Sequence, residues 1–465
     1  MNLDSYKYIY FLGVGGIGMS ALARYFNLKG KMVFGYDQEE SSLTKKLQLE
    51  GINIHYTASV DMIPSVIRES NIDDVLVIYT PAVPYSNVEI QYFNKNKIPL
   101  YKRSKILGLI SQQFFTIAIA GTHGKTTTSA ILAHILKDSG KEITAFFGGV
   151  STNYHTNVLL SAHSNILVVE ADEYDYSFLE LKPDVAIITS IDIDHMDIYN
   201  TEEELQSAFI QFSSQIKEDG LLLVEESIDL DFPVPKNGEK RTYSATVNAD
   251  YYADNINIRN YEAVFDLLFH DVMLNETCGI QNNIRLSLPG THNISNCIAA
   301  AAIGHYLGLS MQDILNSISS FKGIERRFDF ILRNEKLVFI DDYAHHPKEL
   351  TSTIQTVQEI FPKRNLTVVF QPHLYSRTLE LSKDFAVSLS SADQLILLDI
   401  YPAREHPIKG VDSNMLLDLC TNSKKEVCKK EELLDTLALR DLDVLLTVGA
   451  GDISSLVQPI KHMLN

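Results

Sequence analysis

The sequence predicts an α/β protein built of three successive units, and three observations carry that reading. Short apolar runs alternate with helical patterns along the whole chain, the order expected of parallel sheets. The succession of strand, glycine-containing loop and helix occurs near the N-terminus and starts afresh near residue 115. The length, 465 residues, corresponds to about three domains at roughly 150 residues each.

The first unit is placed at residues 1–108. YIYFL (8–12) is an apolar run, followed by Gly13, Gly15, Gly16 and Gly18 and by a helical pattern through Met19, Leu22, Ala23 and Phe26. A second strand is predicted over 32–36, ending at Asp37, and VLVIY (75–79) continues the alternation. The second unit is placed at 109–325. Its first strand, FTIAIA (115–120), runs straight into GTHGKTTTSAILAHIL, and ILVV (166–169) and VAIIT (185–189) read as buried strands that each end in polar or acidic residues. FPVPKNG (232–238) reads as a loop beside shorter, antiparallel strands. The third unit, 326–465, holds predicted strands at 337–340, 366–370, 394–398 and 444–448, with helical stretches between them. The dense charge run KKEVCKKEE, from Lys424, reads as a solvated helix face or loop.

Hydrophobic residues make up 45% and charged residues 21%, which suits a globular chain with several cores. The net charge of −19 has the wrong sign for a general nucleic-acid or anionic-membrane binder. Cys278, Cys297, Cys420 and Cys428 lie far apart, without metal spacing or the density of a disulfide scaffold. The N-terminus lacks the pattern of a signal peptide, and no run of about 18 apolar residues occurs. A cytoplasmic protein with reduced thiols is expected.

The sharpest chemical signal is GTHGKTTT (121–128). A glycine-permitted loop opening a helix turns backbone N–H groups toward one anionic centre, here those of Gly121, Thr122, His123, Gly124 and Thr127. Lys125 adds a point charge for phosphates and the Thr126 hydroxyl is placed for Mg²⁺. Ile119 and Ala120 stand where the longer phosphate-loop consensus opens with glycine, so this is a shortened variant. VVEADEYDYS puts Glu170 at a strand end with Asp172, Glu173 and Asp175 behind it, where oxygen ligands for a hard cation are expected, although a solvated acidic loop is the plainer reading. SIDIDHMDIY repeats the arrangement with Asp192, Asp194, His195 and Asp197.

GVGGIGMSA has the spacing of a dinucleotide fingerprint, with Asp37 after the next strand. The pattern suits a pyrophosphate whether the ligand is NAD or a nucleotide sugar. LPGTHNISN offers His292, Asn293 and Asn296 at a helix entrance, where Asn293 or Ser295 could be only an N-cap. GIERRFDF brings Arg326 and Arg327, IDDYAHHPKE brings Asp341, Asp342, Tyr343, His345, His346 and Lys348, and FQPHLYSRT brings His373 and Arg377. Cationic and hydrogen-bonding groups repeated at strand ends gather the local field that an acidic protein needs to hold phosphates.

These residues resemble the Mur ligases of peptidoglycan synthesis. FLGVGGIGMSALA, AGTHGKTTT, EADEYDYSF, DIDHMDIY, LPGTHNISN, ERRFD, DDYAHHP, FQPHLYSRT and VGAGDI fall in the family's order over nearly the whole chain. The resemblance implies a three-domain α/β fold in which two Rossmann-like domains flank a central P-loop ATPase domain, with the C-terminal domain closing over the site. The implied activity, closest to the alanine-adding branch, is phosphorylation of the lactoyl carboxylate of UDP-N-acetylmuramate by ATP and attack of the L-alanine amine on the acyl phosphate.

The resemblance also implies residue roles. Lys125 and Thr126 would hold phosphates and one Mg²⁺, with Glu170 and His195 on metal near the transferring phosphate. Asn293, Arg327 and Asp342 would reach the nucleotide. His345 and Arg377 would serve the reaction, and Tyr343, His346 and Arg377 the substrate. Gly15, Gly16, Ile17 and Gly18 would carry the pyrophosphate, with Asp37 on the uridine side. A monomer or weak homodimer is expected. The chain departs from the family at Leu374, where members often place an arginine. It shows no clear counterpart of the carbamylated lysine of sister ligases, although Lys217 lies downstream. The competing readings are a ligase that attaches a whole tripeptide to the same sugar nucleotide, an NAD-dependent oxidoreductase, and an inactive nucleotide-binding regulator.

Overall fold

A computed structural model describes residues 1–192, 198–199, 201–259, 261–271, 276–403 and 405–465, without side chains at 259, 270, 271 and 276–278. Three sheets organise it. The first contains β1 (Tyr8–Leu12), β2 (Met32–Tyr36), β3 (Asn53–His55), β4 (Val75–Tyr79) and β5 (Leu100–Lys102), in the order β3-β2-β1-β4-β5 with parallel pairing throughout. Helix α1 (Ile17–Leu28) follows β1 through the glycine loop, and α2 (Arg103–Ser111) follows β5 directly. β1 is flanked by β2 and β4, so the chain leaves it toward opposite sides, and the C-terminal end of such a strand is where an open parallel sheet forms its crevice.

The second sheet contains β6 (Phe115–Ala120), β7 (Ile143–Ser151), β8 (Thr156–Leu159), β9 (Ile166–Ala171), β10 (Val185–Ile188), β11 (Leu221–Glu225), β12 (Glu239–Ser244), β13 (Tyr251–Arg259), β14 (Glu262–Asp271) and β15 (Glu276–Leu286). Its order is β15-β14-β13-β12-β11-β10-β6-β9-β7-β8. β6 lies parallel between β9 and β10, with Ile119 opposite Glu170 and Ala120 opposite Ile188. Helix α3 (Lys125–Asp138) leaves from the end of β6. The antiparallel expectation around 232–238 is corrected: β11 and β12, which the loop joins, pair in parallel. A connection of about a dozen residues is long enough to return the chain to the same sheet end, which a tight hairpin cannot do.

One apolar cluster runs from Ile9, Phe11 and Val33 on one face of the first sheet to Ala118, Leu167 and Ile188 of the second. Tyr10, Leu12, Phe34 and Val77 on the opposite face form a separate core. Helix α4 (Thr291–Tyr306) follows β15.

The third sheet contains β16 (Asp329–Arg333), β17 (Val338–Asp342), β18 (Leu366–Phe370), β19 (Gln394–Leu398), β20 (Lys424–Cys428) and β21 (Val444–Val448), in the order β16-β17-β21-β18-β19-β20. β16 is antiparallel to β17 and the other pairs are parallel. Helices α5 (Pro347–Ile360) and α6 (Tyr375–Glu380) follow β17 and β18. Lys424–Cys428 is therefore not the solvated helix or loop expected from its charges. It is an edge strand, where lysines are tolerated because one side of the ladder faces water. Cys428 is its buried residue.

By contact density the chain divides into two compact units, 1–254 with 266–282 and 295–321, and 255–265 with 283–294 and 322–465.

Candidate active site

The phosphate loop takes its shape from two left-handed glycines. Gly121 has φ +138° and Gly124 has φ +84°, a region that side-chain-bearing residues seldom adopt. A Cβ on Gly121 would collide with Thr189 Oγ1, and one on Gly124 would fall 2.5 Å from Asn296 Oδ1. The loop is laced to the end of β10: Thr122 N–H donates to Ser190 O at 3.1 Å, and His123 N–H to Ser190 Oγ at 2.9 Å. Asp192 N–H donates to Thr122 Oγ1 at 3.0 Å. Thr127 is buried in the first turn of α3.

Lys125 Nζ donates to Gly121 O and to both oxygens of Glu173, at 2.9 and 2.7 Å. Burial by itself would push this ammonium down. Glu173 first, then Asp172 and Glu170, outweigh burial and hold it above the ordinary lysine range, so it stays cationic. Thr126 Oγ1 donates to Glu170 Oε2 at 3.2 Å, and Gly148 N–H donates to Glu170 Oε1. A Cβ on Gly148 would lie 2.5 Å from Glu170 Oε2 and 2.9 Å from Thr126 Oγ1. The bare glycine thus leaves open the space where these oxygens meet.

In the first sheet, Gly13 has φ +87° and turns the chain out of β1. Gly15 N–H donates to Asp37 Oδ2 at 2.6 Å, and Gly16 is the N-cap of α1. The Ile17 carbonyl accepts a 2.6 Å bond from Asn157 Nδ2 of β8. Arg24 Nη1 in turn donates to Asn157 Oδ1 at 2.5 Å and pairs with Glu50 through Nε and Nη2 at 2.6 and 2.9 Å. Arg103 lies against Gly18, where a Cβ would fall 2.8 Å from Nη1.

A third cluster gathers at the C-terminal ends of β17 and β18. Asp342 accepts from the N–H groups of Phe328 and Ala344 at 2.6 and 2.7 Å. Burial pushes its carboxyl up to about 6, against the pull of Arg327. The guanidinium groups of Arg326 and Arg327 lie 5.1 and 5.0 Å from the ring of Tyr343. Glu349 accepts from the His345 N–H at 3.0 Å and faces Arg327 at 3.9 Å, while His346 caps α5. His373 is 6.2 Å from His345, ring to ring, and burial, then His345, then Arg377 push it down to about 4, so its imidazole is neutral near neutral pH. Leu374 takes φ +70° ahead of α6, which carries Arg377. Asn293 sits inside the first turn of α4, with Nδ2 on the Pro289 carbonyl at 2.8 Å, so it is not the N-cap.

The expected residues therefore collect into three groups: Gly121 to Thr127 with Glu170; Gly15, Gly16, Ile17 and Gly18 with Asp37; and Arg327, Asp342, Tyr343, His345 and His346 with Arg377 close by. His195, with Asp194 and Asp197, lies outside the described residues. Lys217 pairs with Asp184 at 2.7 Å. Glu173 and Asn296, noted in the sequence without a role, prove to shape the phosphate loop. Gly148 had no local signal at all, because its importance lies in an approach across two strands.

Three family models match the chain in succession: "Mur ligase family, catalytic domain" over residues 8–115, "Mur ligase middle domain" over 119–304, and "Mur ligase, glutamate ligase domain" over 326–451. The chain belongs to the Mur ligase family. Among relatives, it is 46% identical to the UDP-N-acetylmuramate--L-alanine ligase of Parabacteroides distasonis, covering 100% of this chain and 98% of that one. It is 44% identical to the protein of the same name from Cytophaga hutchinsonii, covering 99% and 97%. Of solved structures, it is similar to the UDP-N-acetylmuramate-alanine ligase of Thermotoga maritima, with 29% identity, TM-score 0.81 and 98% of each chain covered. A murein peptide ligase from Psychrobacter arcticus shares the fold at 22% identity and TM-score 0.73, again over 98% of each chain. In this Mur ligase, the glycine loop of β1, the phosphate loop of β6 and the histidine cluster of β17 fall in the first, second and third matched segments respectively.

Proposed function

We propose that the protein is an ATP-dependent ligase that joins L-alanine to the lactoyl carboxylate of UDP-N-acetylmuramate, giving ADP and phosphate, in the cytoplasmic assembly of peptidoglycan precursors. The observation that carries this reading is the end-to-end likeness to relatives named for that reaction, 46% identical over the whole chain in the Parabacteroides distasonis protein. In this reading the domains are 1–108 for the sugar nucleotide, 109–325 for ATP and 326–465 for closure and the amino acid. Among the described residues no helix is long and apolar enough to cross a membrane.

A carboxylate is a poor electrophile, so it must first exchange an oxygen for a better leaving group. One carboxylate oxygen attacks the γ-phosphorus, ADP departs, and an acyl phosphate forms. The amine nitrogen of L-alanine then attacks the carbonyl carbon and phosphate leaves, carrying one of the original carboxylate oxygens, while the nitrogen gives up its proton. The loop N–H groups and Lys125 stabilise charge on the transferring phosphoryl group, which is where such enzymes gain most of their rate. Lys125, held in place by Glu173, reaches the phosphate oxygens. Gly15 to Gly18 hold the pyrophosphate of the sugar nucleotide, and Asp37 orders that loop and faces the uridine side. Arg377, Tyr343 and His346 receive the amino acid, with His345 beside them, and Asn293, Arg327 and Asp342 serve the nucleotide.

Mg²⁺ prefers hard oxygen ligands and is commonly held by one or two carboxylates together with water and phosphate. The Thr126 hydroxyl and the Glu170 carboxylate meet beside Gly148 in that manner. No larger cage of His, Cys, Asp or Glu occurs among the described residues. The donors fit, and Thr126 and Glu170 would hold the ion, with His195 as a further ligand. When bound, it neutralises charge on the phosphates.

The test is incubation with ATP, Mg²⁺, L-alanine and UDP-N-acetylmuramate labelled with ¹⁸O in its carboxylate. Label is expected in the released phosphate. Phosphate release with the tripeptide and not with L-alanine would replace this reading by the tripeptide ligase.

A further inference from the structure

The end of β9, with Glu170, and the turn that follows it distribute their acidic side chains to different partners. Glu170 faces Thr126 and Glu173 faces Lys125, both on the phosphate loop. Asp172 Oδ2 lies 3.5 Å from Arg103 Nη2, and Asp175 Oδ2 lies 2.6 Å from Lys102 Nζ. Lys102 ends β5 of the first sheet and Arg103 begins α2. One short turn thus reaches the phosphate loop on one side and the first sheet on the other.

The backbone of that turn is strained. Asp175 and Tyr176 both take φ +55°, successive left-handed residues of which neither is glycine. Such conformations persist only where their surroundings over-determine them. The surroundings here are Lys102 on Asp175, the Tyr176 hydroxyl on Glu204 at 2.6 Å, and the Tyr199 hydroxyl on the Glu173 carbonyl at 2.5 Å. The side chains of Lys102 and Asp175 are 41% and 34% exposed, and a pair so wetted contributes little to stability. What such a pair supplies is geometry, a fixed anchor for the turn that carries Glu173.

We propose that Lys102 and Arg103 are positioning residues for phosphoryl transfer, which through Asp175 and Asp172 hold the strained turn that sets Glu173 on Lys125, beside the contact of Glu170 with Thr126. The inference rests on the reading of 121–128 as the triphosphate loop. It ties the cationic end of the sugar-nucleotide sheet to the geometry of the ATP site without either residue touching ATP.

The full-length protein is compared with Lys102→Ala, Lys102→Arg, Asp175→Asn and Arg103→Ala by steady-state kinetics and thermal melting. Asn tolerates the left-handed region, so Asp175→Asn removes the charge and spares the backbone. Lys102→Ala and Asp175→Asn are each expected to lower kcat about 10-fold with the KM for ATP and for UDP-N-acetylmuramate changed less than about 3-fold, the pattern of an interaction needed only in the transition state. Arg103→Ala is expected to lower kcat in the same direction, and Lys102→Arg to keep most of it. If Lys102→Ala does not fold, Lys102→Gln, which keeps the stem, is read in its place. A kcat within about twofold of wild type in both Lys102→Ala and Asp175→Asn overturns the proposal. So does a loss of activity that follows a fall in melting temperature and is not recovered by Lys102→Arg. A wild-type protein that releases no phosphate from these substrates would overturn the functional reading itself, and the positioning role with it.

Discussion

Glu173 places both carboxylate oxygens on the ammonium of Lys125, at 2.9 and 2.7 Å, with its own side chain wholly out of solvent. Breaking a buried pair by removing one partner strands the other charge in a medium that solvates it poorly. Glu173→Ala is therefore expected to cost about 3–5 kcal/mol of folding stability, whereas Lys125→Met with Glu173→Leu recovers most of that loss. Urea denaturation of the two variants checks the difference, and the double variant is expected to be inactive. Equal losses in both would show that the pair is not what the site's stability depends on.

Gly148 is the second point of leverage. Its missing side chain leaves room between Glu170 and Thr126, and an alanine methyl would sit 2.5 Å from Glu170 Oε2. Gly148→Ala is expected to raise the Mg²⁺ concentration for half-maximal rate by about 10-fold, and Glu170→Ala to lower turnover by at least ~100-fold in a folded protein. A Mg²⁺ titration of the rate, with circular dichroism as the check on folding, measures both. A wild-type Mg²⁺ response in Gly148→Ala would move the ion elsewhere.

Asp342 gives a pH dependence of definite sign. Burial raises its carboxyl to about 6, Glu349 adds to the rise, and Arg327 and two backbone N–H groups only partly oppose it. An unfolded aspartate titrates near ~3.9. Between about 4 and about 6 the native state thus holds the proton that the unfolded state has lost, and this group's contribution to stability falls as the pH rises through that window. The free energy of wild type minus that of Asp342→Ala, from urea denaturation at about pH 4 and about pH 7, is expected to be larger at the lower value. A difference that grows with pH would contradict the assignment.

Asn157 reaches from β8 to the Ile17 carbonyl at the start of α1, and Arg24 completes its bonding. Asn157→Ala leaves a buried guanidinium N–H without its acceptor and takes from the Ile17 carbonyl one bond beside the one it keeps from Ser20 Oγ, and is expected to cost about 1–3 kcal/mol. It is also expected to raise the KM for UDP-N-acetylmuramate several-fold and to leave that for ATP unchanged. An unchanged KM for the sugar nucleotide would show that the helix start does not depend on this bond.

How much of this was legible in the sequence follows from what each feature depends on. β1, β2, β6 and β18 were readable at their observed bounds because each is a mainly apolar run without a charge, and the phosphate loop because its glycines and lysine sit side by side. Lys424–Cys428 was not readable as a strand. Its lysines obey the solvent side of an edge, and only the third sheet reveals that an edge is there. The direction of β12 was missed because the loop before it carries turn residues that look like a hairpin. The pairs Lys125 with Glu173, Glu170 with Gly148 and Lys102 with Asp175 join residues 48, 22 and 73 positions apart, and no local pattern announces a partner on another element.

The chain Glu50, Arg24, Asn157, Ile17 ties the start of one glycine-loop helix to a strand of the sheet that bears the other loop. The span between a pyrophosphate on the first loop and a triphosphate on the second then becomes a fixed dimension of the protein. A synthetic compound joining mimics of the two would be sensitive to the length of its tether, with one optimum and a steep loss on either side.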